Sequence, residues 1–181
     1  MHTIGYAVVA ATLGGSLVLT GANPSHRAPK VAALDDATIV AIFDAANTWD
    51  IQSSTLGEKS HNPEIAALAQ HFIHDHEMVR QQGRDLAKKL NVTPTPPKDF
   101  PLAKVHADAM AKLKTLSGLQ FDRFYLENEV SYHKTVIDAM HNTLIPAIQN
   151  PELKALVVKV APAFQAHMVA AQQLLDKQPQ A

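Results

Sequence analysis

The sequence predicts an all-α protein: an antiparallel four-helix bundle with an extra short helix between its second and third long helices. Three observations carry this. Only 7 glycines and 6% aromatic residues accompany a 46% hydrophobic content, and Ala and Leu are abundant, which favours helix over sheet. Apolar residues recur at spacings of three and four along four long stretches. The start signal Asn-Pro-Glu occurs at 62–64 and again at 150–152, with a cap, a first-turn proline and a carboxylate at the positive helix end.

The chain of 181 residues is long enough for one domain with its own core. A net charge of −1 with scattered Lys and Arg argues against nucleic acid as a partner. Cysteine is absent, so disulfides and thiolate chemistry are excluded, and any metal has to be held by His, Asp, Glu or Met.

The opening run "IGYAVVAATLGGSLVLTGA" is apolar but short for a spanning helix, and Thr20-Gly21-Ala22 offers small residues for cleavage. Residues 1–22 are therefore expected to be an export signal, with an uncleaved membrane anchor as the competitor. After cleavage no stable transmembrane span is expected. No cysteine follows, which excludes a lipoprotein anchor. Residues 23–34 are expected to form a flexible mature terminus, and 35–176 the bundle domain. This places the protein outside the cytoplasm, in the periplasm or associated with the outer membrane.

The first helix is expected from about Asp35 to Glu58. Ile39, Phe43, Ala46, Asp50, Ser53 and Gly57 share one face, so Asp50 is a carboxylate on an apolar or small stripe. The second helix starts at Asn62. Ile65, Phe72, Val79 and Leu86, with Ala69, His76, Gly83 and Leu90, form a bundle seam that contains His76. His74 lies about 200° from Phe72 and points outward. His71 and Asp75 flank the stripe, can pair at i, i+4, and read as a solvated face. "NVTPTPPKDFP" ends the helix and makes a stiff connector.

A shorter helix is expected from about Leu102 to Leu116, with Leu102, Val105, Ala109, Leu113 and Leu116 on one side, ended by Ser117-Gly118. The third long helix carries "FDRFYLENEVSYHKTVIDAM". Leu119, Leu126, His133 and Met140 are spaced by sevens, and Asp122, Tyr125, Glu129 and Val136 complete the face. Glu129 and His133 are i, i+4 and can address one point. Pro146 should end this helix, and Pro162 should kink the fourth, whose seam is Leu153, Val157, Val160, Phe164, His167, Ala171 and Leu174.

An up-down-up-down bundle would put both Asn-Pro-Glu turns at one end. At about 1.5 Å per residue, Asp50, His76, His133 and His167 then lie some 18–25 Å from that end, with Glu129 roughly one turn beyond His133. Four helices would each send a polar side chain inward at similar depth, as a buried metal site in a bundle requires. A metal-free His–Asp–Tyr hydrogen-bond network would give the same pattern. Met78, Met110, Met140 and Met168 raise copper–thioether chemistry, although methionine is more often core filler.

The stretches "LAQHFIHDHEMV", "LSGLQFDRFYLENEVSYHKTV" and "APAFQAHM" resemble domain-of-unknown-function family 4142, exported bacterial ferritin-like proteins often labelled as outer membrane proteins. The resemblance covers about residues 35–176. The family pattern matches Asp50 in the first helix, Asp75 and His76 in the second, Phe121, Asp122, Tyr125 and His133 in the third, and Pro162 and His167 in the fourth. One departure is Asp50, where the family usually has Glu, one methylene longer. The resemblance implies a ferritin-like fold and brings no established activity.

Di-iron bundles use Glu-x-x-His motifs, yet Ile73, Val130 and Phe164 stand three residues before the seam histidines. Such a His-rich, carboxylate-poor set suits one transition-metal ion, Zn, Fe, Cu, Mn or Ni, rather than oxygen-activating di-iron chemistry. The leading expectation is a single ion held by His76, His133, His167 and either Asp50 or Glu129, with Tyr125 and Asp122 behind them, in a storage, buffering or stress-protection role. The competing expectations are a metal-free envelope protein and a metalloenzyme handling reactive oxygen.

Overall fold

The computed structural model describes residues 34–179, so the expected export signal and nearly all of the expected tail lie outside the described residues. Five helices follow in order: α1 (Asp36–Gly57), α2 (Pro63–Lys89), α3 (Pro101–Leu113), α4 (Gly118–Ala139) and α5 (Pro151–Asp176). No strand occurs among the described residues. The four long helices pack as a bundle and α3 is the short extra one.

Local signals set most of the ends. The Asp35 carboxylate accepts from Thr38 N–H at 2.8 Å and caps α1. Asn62 and Asn150 cap α2 and α5, each followed by proline in the first turn. Asn91 takes φ 53° just past α2, and Val92 N–H reaches back to the Ala87 carbonyl at 2.9 Å, a left-handed helix stop. Gly118, at φ 55°, opens α4 in a conformation that favours glycine.

α4 ends through a π-helical stretch, Met140–Leu144, and a last turn, Ile145–Ala147, that contains Pro146. Ile145 N–H bonds to the Met140 carbonyl, five residues back. Proline lacks an N–H and crowds the carbonyl four residues before it, so a widened turn just ahead of Pro146 is the expected accommodation. Pro162, by contrast, sits inside α5, which runs through it without a break.

Two sets of end contacts fix the connectivity. At one end, Ser60 in the α1–α2 turn donates to Asp122 in the first turns of α4 at 2.5 Å. At the other, the Asp36 carboxylate at the start of α1 accepts from Gln149 and Asn150 N–H at 2.9 and 2.8 Å, and Thr95 N–H reaches the Ala37 carbonyl. The α1–α2 and α4–α5 turns therefore lie at opposite ends. The up-down-up-down connectivity expected from the two Asn-Pro-Glu motifs is corrected: α3 and its flanking connector carry the chain back along the bundle before α4 begins. Neighbouring helices remain antiparallel. From the end that holds Asp36, Lys89, Ala147 and Pro151, about 1.5 Å per residue still places Asp50, His76, His133 and His167 at a common depth of roughly 20–24 Å.

The core has two apolar halves. One is built from Ile39, Phe43, Val79, Val136, Met140, Val157 and Phe164. The other is built from Ile65, Ala69, Phe72, Tyr125, Leu126 and Ala171. Along each long helix the polar seam residues fall between these halves. Two apolar expectations fail: Leu119 is 62% exposed and Val105 56%. Leu119 is the second residue of α4. On α3 only Ala109 and Leu113 are buried.

A candidate metal centre in the polar layer

Asp50 on α1, His76 on α2, Glu129 and His133 on α4, and His167 on α5 are all buried, none more than 4% exposed. One donor atom from each of the three histidines lies within 4.8 Å of the others. His76 Nε2 is 3.3 Å from His133 Nε2 and 3.2 Å from His167 Nδ1. Asp50 lies beside two of the three, with Oδ1 3.3 Å from His76 Nε2 and Oδ2 3.5 Å from His133 Nε2, and it also shares a donor group with Glu129 and His133. The shorter side chain at position 50 therefore reaches the trio. Donors held about 2.0–2.1 Å from a tetrahedral ion stand about 3.3 Å apart, close to the spacing of His76 Nε2 from His133 Nε2, His167 Nδ1 and Asp50 Oδ1.

The outer nitrogen of each ring faces an acceptor. His76 Nδ1 faces Asn47 Oδ1 at 2.9 Å, and that amide is oriented by donating its own Nδ2–H to the Phe43 carbonyl at 2.8 Å. His133 Nδ1 faces the Glu129 backbone carbonyl at 2.9 Å. His167 Nε2 faces Asp75 Oδ2 at 3.0 Å. A neutral imidazole has one N–H, and each of these contacts assigns it to the outer nitrogen. All three inner nitrogens then present lone pairs to one another. Burial keeps the rings neutral: it lowers His76 well below the ordinary histidine value and takes His133 down to about 3. His167 is also lowered by burial, although Asp75 opposes the shift.

The carboxylates behave oppositely. Burial raises Glu129 to about 7, and burial together with the Glu129 charge raises Asp50 well above the ordinary aspartate value. Asp50 Oδ2 and Glu129 Oε2 are buried without a hydrogen-bond partner among the described residues, which is costly unless another interaction compensates. Glu129 stands one step back from the trio. Its Oε1 accepts from the Ser53 hydroxyl at 2.8 Å, and its Oε2 is 3.7 Å from the outer nitrogen of His133.

Tyr125 and Asp122 lie further out. The Tyr125 hydroxyl is 3.1 Å from Ser54 Oγ, which donates to Asp50 Oδ1 at 3.3 Å, so Tyr125 reaches the layer through Ser54. Asp122 is engaged with Ser60 at the end of the bundle, and its expected place behind the ligands is corrected to a helix–turn tie. The methionines are dispersed: Met140 lies in one apolar half, Met110 packs against the other and Met78 is 47% exposed.

Three participants escaped the sequence reading as members of the site. Asp75, expected on a solvated face, does pair with His71 at 3.4 Å but also holds His167. Asn47 and Ser54 continue the polar row of Asp50 at three- and four-residue spacing, the signal that marks them.

The sequence model of the family described as Domain of unknown function (DUF4142) matches residues 21–174. The chain belongs to this family. No curated protein matches it. Among solved structures, this DUF4142 chain is similar to "CopM in the Cu(II)-bound form", with a TM-score of 0.63 and 18% identity over 81% of this chain and 100% of that one. At that identity the likeness speaks for the helical fold alone, and the His/Asp groups in the polar layer are compatible with metal binding.

Proposed function

We propose that the protein holds a single transition-metal ion through His76 Nε2, His133 Nε2, His167 Nδ1 and the Asp50 carboxylate. Asn47, the Glu129 carbonyl and Asp75 fix the ring tautomers, and the Glu129 side chain stands beside the ligands. The observation that carries this reading is the proton accounting: three outer N–H groups are engaged, and three inner lone pairs converge with spacings of 3.2 and 3.3 Å about His76 Nε2. Metal-ligating histidines characteristically donate their other N–H in this way. A metal-free network would need a proton between the inner nitrogens, either from the Asp50 carboxyl or from a ring turned N–H inward, which would leave Asn47, the Glu129 carbonyl or Asp75 without its donor.

Three imidazoles and one carboxylate suit Cu(II) and Zn(II), which stand high in the affinity order for such donors, ahead of Fe(II) and Mn(II). The Cu(II) in the similar structure makes copper the first ion to test. Donors that are almost wholly excluded from solvent favour holding an ion over turning over a substrate. With the apolar N-terminal run read as an export signal, the role is metal storage, buffering or stress protection in the cell envelope.

Elemental analysis of the purified protein tests the reading. About one ion per chain is expected, lost on treatment with a strong chelator and absent from a folded His133→Ala variant. A folded wild-type chain that takes up no ion when offered Cu(II) or Zn(II) would sink the proposal.

A further inference from the structure

A second donor group adjoins the buried one. His71 Nε2 and His167 Nε2 lie 3.4 and 3.0 Å from the same oxygen, Asp75 Oδ2. One donor atom from each of the three residues lies within 4.8 Å of the others. The His71 side chain is 61% exposed, that of Asp75 23% and that of His167 only 5%. The three thus form a gradient from solvent to the core, and they end on a ring whose other nitrogen, Nδ1, belongs to the buried trio. Phe72 stacks on His167 at 4.4 Å between centroids, and His71 meets its edge at 5.6 Å, so the ring is clamped with one nitrogen on each side.

We propose that His71, Asp75 and His167 Nε2 form an outer loading site that captures a divalent transition-metal ion from solvent and passes it through His167 to the buried centre. The inference rests on the buried centre being a metal site. The two sites use opposite tautomers of one imidazole. With the ion outside, His167 Nε2 coordinates it, and Nδ1–H donates to His76 Nε2, 3.2 Å away. With the ion inside, Nδ1 coordinates it, and Nε2–H donates to Asp75. The proton moves from one ring nitrogen to the other by exchange with water, with none gained or lost overall. A neutral His167 therefore serves one site at a time, so the pair relays one ion instead of storing two.

Stopped-flow loading with Co(II), whose visible absorption reports its donor set, tests this on the full chain. His71→Ala alters an exposed side chain, and folding is checked by its melting curve. His71 supplies one of three donors of the outer site, and loading through that site follows the affinity of capture there. A loss at the lower end of the roughly 10- to 100-fold that one missing group costs metal sites slows loading about tenfold or more, with the same final spectrum and the same one-ion stoichiometry. His74→Ala, an exposed neighbour, should load at the wild-type rate. Equal rates for His71→Ala and wild type, with full loading of both, overturn the relay and leave the buried centre standing. A changed final spectrum in His71→Ala also overturns it, because His71 would then belong to the final site. No uptake by the wild type of Co(II), nor of Cu(II) or Zn(II) offered in its place, overturns the relay and the buried centre together.

Discussion

At the scale of single residues, Asn47 lies outside the proposed ligand set yet orients one of its members. Its Oδ1 holds the His76 N–H outward, and its own amide is locked by the Phe43 carbonyl. Asn47→Ala should leave the helix intact but release the ring, weakening metal affinity about 10- to 100-fold in a chelator competition. Unchanged affinity would show that the tautomer is not set there. The titrating groups give a second prediction. His76 and His133 have folded-state values below their unfolded 6.5, so their contribution to stability is complete above about 6.5 and is lost as pH falls. Glu129 and Asp50 are raised above 4.5 and 3.8, so their contribution is complete below those values and is lost as pH rises, through about 7 for Glu129. The metal-free protein should therefore be most stable in mild acid, with a melting temperature that falls on either side. Metal binding should tighten as pH rises through 7 and release protons, read as a dependence of calorimetric heat on buffer ionisation enthalpy. A metal-free melting temperature that is flat from pH 5 to 8 would contradict this assignment. The sequence made the inward residues legible because seam position follows from spacing alone. Asn47 and Ser54 were marked only by their spacing from Asp50, and Asp75 only by the family pattern, because the role of each depends on which neighbouring helix it faces.

At the scale of helices, the polar layer requires α1 to lie close to its neighbours, and two glycines permit it. A Cβ at Gly57 would stand 2.5 Å from Tyr125 Cζ, and one at Gly83 would stand 2.9 Å from the Phe43 ring. Tyr125 is fully buried and ties the layer through Ser54, so it has no space to retreat. Gly57→Ala should therefore destabilise by about 1–3 kcal/mol, the usual cost of overpacking a core. At about 2–4 °C per kcal/mol for a chain of this size, the melting temperature should fall by several degrees. The helix-propensity gain of alanine over glycine works the other way, so a rise in melting temperature would mean that the contact is slack. Four long helices and the short one were legible from periodicity and caps. The exposed faces of Val105 and Leu119 were not, because heptad spacing marks a stripe without saying where along the helix a partner ends. The π-helical stretch before Pro146 was foreseen only as a helix end, since proline predicts a disrupted turn without fixing its form.

At the scale of the whole molecule, the connectivity decides what an ion would do for stability. The layer takes Asp50 from α1, His76 from α2, His133 from α4 and His167 from α5, and it lies between two apolar halves. The sequence could not reveal that the two Asn-Pro-Glu turns lie at opposite ends, because a start signal identifies a helix end without its direction in space. The common depth survived that error because each candidate ligand sits near mid-bundle, where reversing a helix barely changes its height. An ion there would join both hairpins, α1–α2 and α4–α5, across chain separations otherwise held by the apolar halves and a few hydrogen bonds such as Ser60–Asp122 and Ser53–Glu129. It would also compensate the Asp50 carboxylate, whose buried Oδ2 has no hydrogen-bond partner among the described residues. Free ion at 100 times its dissociation constant adds about 2.7 kcal/mol of stability, which at this chain length corresponds to a rise of roughly 5–11 °C in melting temperature. The rise should increase with the logarithm of ion concentration, vanish in His133→Ala, and be accompanied by slower amide exchange at the mid-points of all four long helices. Slowing confined to one hairpin would mean that the ion does not bridge the bundle, and that the four groups do not act as one site.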